Sequence, residues 1–129
     1  MPIELTVLAL AALLGIVQLV ILAIAANLQL SSQYLAGPRD EGLPLQGRTA
    51  RLERAYRNHL EGLAFFTVAV VVIVLTGKDS ELTRNCAWVY LGARVLYLPA
   101  YFFGWAPWRS VIWGFGFLAT VTMLVAGLR

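Results

Sequence analysis

Four long apolar segments, separated by polar connections, constrain the fold of this chain more than any other feature. The first, from Leu5 to Ala26, covers about 22 residues, and a helix needs about 20 apolar residues to cross a bilayer. The chain has 129 residues, 60% of them hydrophobic, and a mean hydropathy of +0.74, which is typical of integral membrane proteins. We therefore predict an all-α integral membrane protein with one domain, residues 1–129, folded as a bundle of four transmembrane helices.

Glycine, proline and capping residues delimit the other helices. The predicted spans after the first cover residues 48–76, 81–103 and 111–128. Gly77 suits the position that follows a helix C-terminus, and Ser80 or Asp79 can cap the next helix. Pro99 removes a backbone hydrogen bond within that helix and predicts a kink. The longest loop, over residues 33–47, is rich in glycine and proline.

The composition excludes several classes of function. A single cysteine cannot form an intrachain disulfide, and one histidine without cysteine neighbours makes a metal site improbable. The net charge of +3 is small and gives no indication of a nucleic-acid partner. A resemblance to small four-helix drug exporters would imply a carboxylate at the membrane centre of the first helix, but the only carboxylate near that helix is Glu4, at its terminus.

A polar stripe on the second helix runs directly into its apolar segment. Arg51, Arg54, Asn58 and Glu61 fall within roughly 80° of one another on a helix. Glu61 must therefore approach hydrocarbon, where an unpaired charge costs about 2.5–3.5 kcal/mol. The stripe predicts a polar ligand site between helices.

A second stripe follows on the third helix. Tyr90, Arg94, Tyr97 and Tyr101 lie within roughly 60° of arc, and the short turn after the second helix makes the two helices neighbours. Together the stripes offer cations, one carboxylate, one amide and phenols. This set suits a zwitterionic, peptide-like ligand with carboxylates and an amine.

Simpler interpretations stay open for single residues. Arg57 and Arg109 can bind lipid phosphates, Tyr97 and Tyr101 can be interfacial aromatics, and Arg94 can pair with Glu61. His59 projects about 100° away from the stripe and is interpreted as a surface or contact residue. Six arginines flank the first and third loops, which predicts a cytoplasmic site with both termini outside, in the inner membrane if the host is a bacterium. They are Arg39, Arg48, Arg51, Arg54, Arg57 and Arg109.

Three motifs together resemble the MAPEG family, the membrane-associated proteins in eicosanoid and glutathione metabolism. They are Arg54-Ala-Tyr-Arg-Asn58-His-Leu-Glu61, Arg94-Val-Leu-Tyr97-Leu-Pro-Ala-Tyr101 and Pro107-Trp-Arg109-Ser110. The resemblance covers the chain from about residue 48 onward. It implies a homotrimer of four-helix subunits, surrounded by membrane lipid, with glutathione as cosubstrate between subunits.

The resemblance also implies the roles of individual residues. The positions that would hold glutathione are Arg51, Arg54, Arg57, Asn58, Glu61, Arg94, Tyr97 and Tyr101. Arg109, with Ser110 beside it, would stabilise the thiolate, which would attack a hydrophobic electrophile or reduce a hydroperoxide. Tyr97 stands where the prostaglandin synthase of the family has histidine, so its isomerase chemistry is not expected. A non-catalytic lipid- or thiol-binding scaffold of the same fold is the alternative.

Overall fold

The structure, a computed structural model, describes residues 1–29, 47–104 and 107–129, and these form four helices. They are α1 (Ile3–Gln29), α2 (Gly47–Thr76), α3 (Glu81–Phe102) and α4 (Trp108–Leu128). The prediction of an all-α chain with four helices is confirmed. The predicted loop over residues 33–47 lies almost entirely outside the described residues.

Three of these helices are long and apolar enough to cross a membrane. The qualifying stretches are Ile3–Leu28, Thr49–Thr76 and Trp108–Leu128. α3 has the length but carries the polar stripe and charged residues near its start, which lower its apolar character. A fourth crossing by α3 therefore stays a prediction.

Local sequence signals fix the end of α2 and the start of α3 as expected. Gly77 adopts a left-handed conformation with φ of 67°, which favours glycine at the end of α2. Ser80 caps α3 in a capping box, in which the side chain of Ser80 accepts from the Thr83 amide and Thr83 Oγ1 accepts from the Ser80 amide. α4 begins at Trp108, three residues before the predicted start at Val111.

The helices pack with α2 and α3 as a central pair, α1 on one side and α4 on the other. The core of the described chain combines small and large apolar side chains from all four helices. Its buried members are Val7, Ala11, Phe66, Ala69, Val70, Ile73, Ala87, Tyr90, Ala119 and Met123. Close helix contact through alanine and glycine is typical of packing in membranes, where small residues let backbones approach.

Two polar contacts join the end of the bundle that holds the Gly77–Ser80 turn. Glu4 of α1 is fully buried and accepts a 2.6 Å hydrogen bond from the Thr83 hydroxyl of α3. Lys78 Nζ donates to the Gly127 carbonyl over 3.2 Å, which satisfies one of the last carbonyls of α4. The start of α1 and the end of α4 therefore lie together here, so the polar stripe of α2 lies at the opposite end.

We expect Gly127→Ala to destabilise the protein by about 1–3 kcal/mol, because the added methyl group would overpack the contact between α2 and α4. A Cβ at Gly127 would lie 2.8 Å from Val72 Cγ1, and the branched valine side chain has little rotational freedom in a helix. Unfolding of the detergent-solubilised protein measures the change. Gly114→Ala in the same helix is the control, since a Cβ there meets nothing within 4 Å. Equal stability of both variants would contradict the packing.

Candidate functional site

A polar cavity of about 440 Å³ lies between α2, α3 and the start of α4. Eight of the ten residues predicted for the site line it, together with Trp113. The lining residues are Arg54, Arg57, Asn58, Glu61, Tyr97, Tyr101, Arg109, Ser110 and Trp113. The facing stripes of the sequence therefore meet in one cavity, and the first turn of α4 closes its third side.

The Tyr101 ring organises the cations of this cavity. Arg54 Nε donates to the Tyr101 hydroxyl over 2.9 Å. The Arg109 guanidinium carbon lies 4.8 Å from the centroid of the same ring, within the range of a cation–π contact. Tyr101 therefore holds guanidinium groups from α2 and α4 beside one another, and its phenol counteracts their repulsion without neutralising either charge.

The remaining charges at the cavity are accessible. Arg57 forms an ion pair of 2.7 Å with Glu53, one turn earlier, but the Arg57 side chain is 68% exposed. Exposed ion pairs contribute little free energy, so Arg57 can exchange Glu53 for a ligand at little cost in stability. Glu61 and Ser110 are also exposed. The cavity thus presents a carboxylate and a hydroxyl beside its cations, open to a ligand from outside the bundle.

Arg94 lies behind the polar cavity rather than in its wall. Only 4% of the residue is exposed, and its Nη1 donates to Asn58 Oδ1 over 2.8 Å. Its guanidinium carbon also lies 4.7 Å from the Tyr97 ring centroid. Within the described residues Arg94 is not paired with Glu61, so that alternative is wrong. Arg94 instead orients the amide and the phenol that line the cavity.

His59 is fully buried, so its interpretation as a surface residue is wrong, although it does make contacts. Its Nε2 lies 2.9 Å from the Ala11 carbonyl, and its Nδ1 accepts from Arg94 Nε over 3.3 Å. Because a guanidinium can only donate, Nδ1 must be the unprotonated nitrogen and Nε2 must donate to Ala11. The side of α2 away from the stripe faces α1, not lipid, which explains the burial.

Gly15 provides the space for this imidazole. A Cβ at Gly15 would lie 3.2 Å from His59 Cδ2 and 3.3 Å from Nε2. The pair of small residues in α1, Ala11 and Gly15, therefore admits a side chain of α2 that leads to Arg94. α1 thus supports the candidate site through His59.

Arg51 lies at the edge of the site and does not line the polar cavity. Its guanidinium packs against the turn at Gly104, where a Cβ would come within 3.2 Å of its Nη1. Gly104 has a φ of 72°, a conformation that favours glycine. Arg51 therefore packs against the connection that precedes α4.

An apolar cavity of about 370 Å³ adjoins the polar one and was not predicted. It lies between α2, α3 and α4, and Asn58, Glu61 and Trp113 line both cavities. Trp113 follows Arg109 by four residues, so both lie on one face of α4. This spacing is the sequence signal that could have predicted Trp113 as a residue of the site. Tyr90, the first member of the predicted α3 stripe, lines the apolar cavity instead.

One comparison with known proteins identifies a relationship. The model of the MAPEG family matches residues 7–129, nearly the whole chain. No curated protein and no solved structure matches the chain significantly. The match reaches from α1 to the last residue, so it includes every residue of the two cavities.

Proposed function

This chain belongs to the MAPEG family, and on that premise we propose that it is a membrane-embedded, glutathione-dependent transferase or peroxidase. The family includes glutathione transferases and related membrane proteins. Its substrates here would be glutathione and a hydrophobic electrophile that enters from the lipid bilayer. The single observation that carries the proposal is the polar cavity, because its charges complement glutathione.

Glutathione presents two carboxylates, one ammonium group and a thiol. Arg54 and Arg57 supply guanidinium groups that can bind carboxylates in the bidentate manner that favours arginine over lysine. Glu61 is the carboxylate of the same wall and suits the ammonium group. Asn58, held by Arg94, can hydrogen-bond to the peptide backbone of the ligand. Each charged part of the tripeptide thus has a partner of opposite charge.

Arg109 and Ser110 remain for the thiol. A free thiol titrates near pH 8.5, and an adjacent guanidinium increases the thiolate fraction at neutral pH. Arg109 is only half-buried and rests on the Tyr101 ring, so its charge faces the cavity from a fixed position. The Ser110 hydroxyl can donate to the same sulfur. The two residues lie in the first turn of α4, and Trp113, one turn later, lines both the polar and the apolar cavity.

Two reactions follow from a bound thiolate. In the transferase reaction the sulfur forms a bond to an electrophilic carbon, and the electron pair of the broken bond leaves with the leaving group. In the peroxidase reaction two glutathione molecules reduce one hydroperoxide to an alcohol and water and become a disulfide. Both reactions need only the thiol and the acceptor, so the site requires no metal.

The proposal includes a homotrimer with the site open to the cytoplasm. Arg54, Glu61 and Ser110 are exposed in the single chain, and a neighbouring subunit would cover them. The cluster of arginines at this end of the bundle supports a cytoplasmic orientation under the positive-inside rule. Chemical cross-linking in membranes tests the number of subunits.

We expect the wild-type protein, purified in detergent, to show an ultraviolet thiolate absorbance when mixed with glutathione near neutral pH. S-methylglutathione is the ligand control, since it has the same charges but cannot ionise at sulfur. Glutathione bound without a thiolate band would instead favour a non-catalytic thiol-binding scaffold. A protein that binds neither compound would contradict glutathione as the ligand.

A further inference from the structure

The only histidine of the chain takes part in a buried series of hydrogen bonds that joins three helices. His59 of α2 is fully buried, and its Nε2 donates to the Ala11 carbonyl of α1 over 2.9 Å. Its Nδ1 accepts from Arg94 Nε of α3 over 3.3 Å, and Arg94 Nη1 donates to Asn58 Oδ1 over 2.8 Å. The series therefore runs from α1, through the interior of the bundle, to an amide in the wall of the polar cavity.

The two bonds of Arg94 have only one possible direction. A guanidinium group can only donate, so His59 Nδ1 and Asn58 Oδ1 must both accept. Asn58 Oδ1 is thereby occupied from inside the bundle, and the N–H groups of the same amide remain for the polar cavity. A freely rotating amide would offer either its oxygen or its nitrogen to a ligand. The series therefore restricts Asn58 to a ligand group that accepts, such as a peptide carbonyl or a carboxylate.

His59 provides one of only two hydrogen-bond acceptors that hold Arg94 among the described residues. The other is Asn58, and neither ion pair of the described residues includes Arg94. The Tyr97 ring also contacts the guanidinium, at 4.7 Å, but a ring face does not select a particular N–H bond. Without His59 the buried Nε–H would lack an acceptor, and a buried unpaired donor is costly. We therefore expect Arg94 to turn and to release Asn58.

We propose that His59 is a positioning residue for the polar cavity. It fixes the rotation of Arg94 from behind, and through Arg94 it makes Asn58 a hydrogen-bond donor to the ligand. His59 does not line the cavity itself, so its effect on a ligand passes through Arg94. The identity of this ligand as glutathione rests on the proposed function, whereas the orientation of Asn58 rests only on the buried contacts.

Two amide substitutions separate the two hydrogen bonds of the imidazole. The side-chain oxygen of asparagine stands where Nδ1 does, so His59→Asn keeps the acceptor for Arg94 and loses the bond to Ala11. The side-chain nitrogen of glutamine reaches the place of Nε2, so His59→Gln keeps the bond to Ala11 and leaves Arg94 Nε without its acceptor. Each variant loses one buried hydrogen bond, so both should be less stable than the wild type, and stability does not distinguish them.

Glutathione affinity and the exchange of the Arg94 Nε–H proton with water distinguish the two variants. This proton should exchange slowly in ¹⁵N NMR of the wild type in detergent, and its signal is assigned by its absence in Arg94→Met. We expect slow exchange and nearly unchanged affinity in His59→Asn. In His59→Gln we expect fast exchange and about three- to tenfold weaker binding of glutathione. His59→Gln should weaken binding no further once Arg94 is replaced by methionine, because His59 acts through Arg94.

Slow exchange and wild-type affinity in His59→Gln would overturn the proposal, and so would a loss of affinity that follows stability in both variants. If neither variant folds, the wild type decides, since labelling with ¹⁵N-histidine reports on His59 alone when the purification tag contains no histidine. A protonated Nδ1 would then contradict the proposal, and an unprotonated Nδ1 would support it. The expected exchange pattern in a protein that binds no glutathione would support the positioning and contradict the proposed function alone.

Discussion

Arg109→Ala is expected to lower the rate of glutathione conjugation at least about 100-fold, since it removes the charge that stabilises the thiolate. Affinity for glutathione should change much less, by under about tenfold, because Arg54, Arg57 and Glu61 still bind the charged groups of the ligand. The thiolate absorbance of the bound complex should disappear in the same variant. Conjugation with an aryl halide and the ultraviolet band are measured on the same preparation.

Arg109→Lys distinguishes the charge from the geometry. Lysine keeps the positive charge but loses the planar group that stacks on Tyr101, so part of the thiolate band and an intermediate rate are expected. Arg84→Ala is the control for the loss of an arginine, since Arg84 lies near the start of α3 and pairs with Asp79. An unchanged thiolate band in Arg109→Ala would contradict the assigned role.

Arg94→Met should destabilise the protein by about 2–4 kcal/mol and also weaken glutathione binding. The substitution leaves His59 Nδ1 buried without a donor and removes the 2.8 Å bond that orients Asn58. The loss of stability is partly offset, because the variant no longer has to bury a guanidinium group, which is costly to desolvate. Denaturant unfolding in detergent and glutathione titration measure the two effects.

Arg84→Met is the matched control for the stability of Arg94→Met. It is the same substitution in the same helix, but Arg84 forms a half-exposed ion pair with Asp79 at 3.8 Å, and its loss should cost less than about 1 kcal/mol. Equal stability of the two variants would show that the buried network through Arg94 stabilises the protein no more than the surface ion pair of Arg84 does. Loss of stability without loss of glutathione affinity would restrict Arg94 to a structural role.

The helices and the lining of the polar cavity could be predicted because both depend on periodicity. Residues three and four apart share one face of a helix, so Arg54, Asn58 and Glu61 had to lie together wherever α2 packed. The short turn at Gly77 then made α3 a neighbour of α2. The apolar pattern put the start of α4 at Val111, three residues after its observed start at Trp108, because the first turn of this helix carries the polar residues Arg109 and Ser110.

The apolar cavity and the buried network could not be predicted in the same way. Tyr90 and Tyr101 belong to one stripe of α3, yet only Tyr101 reaches the polar cavity. They are 11 residues apart in the sequence, about 16 Å along the helix, so they meet different neighbours. Periodicity gives the face of a helix but not which partner covers it at each level.

The sequence by itself determined a helical membrane protein with arginines, a carboxylate and phenols on facing sides of two helices, because hydrophobicity and helical spacing are local properties. Only the tertiary structure decided how these groups are used. It buried His59 against Ala11 and placed Arg94 behind Asn58. The burial of His59 depends on how closely α1 approaches α2 at Gly15, and the place of Arg94 depends on how α3 packs on α2. Both are set by the packing of whole helices rather than by the pattern within any one of them.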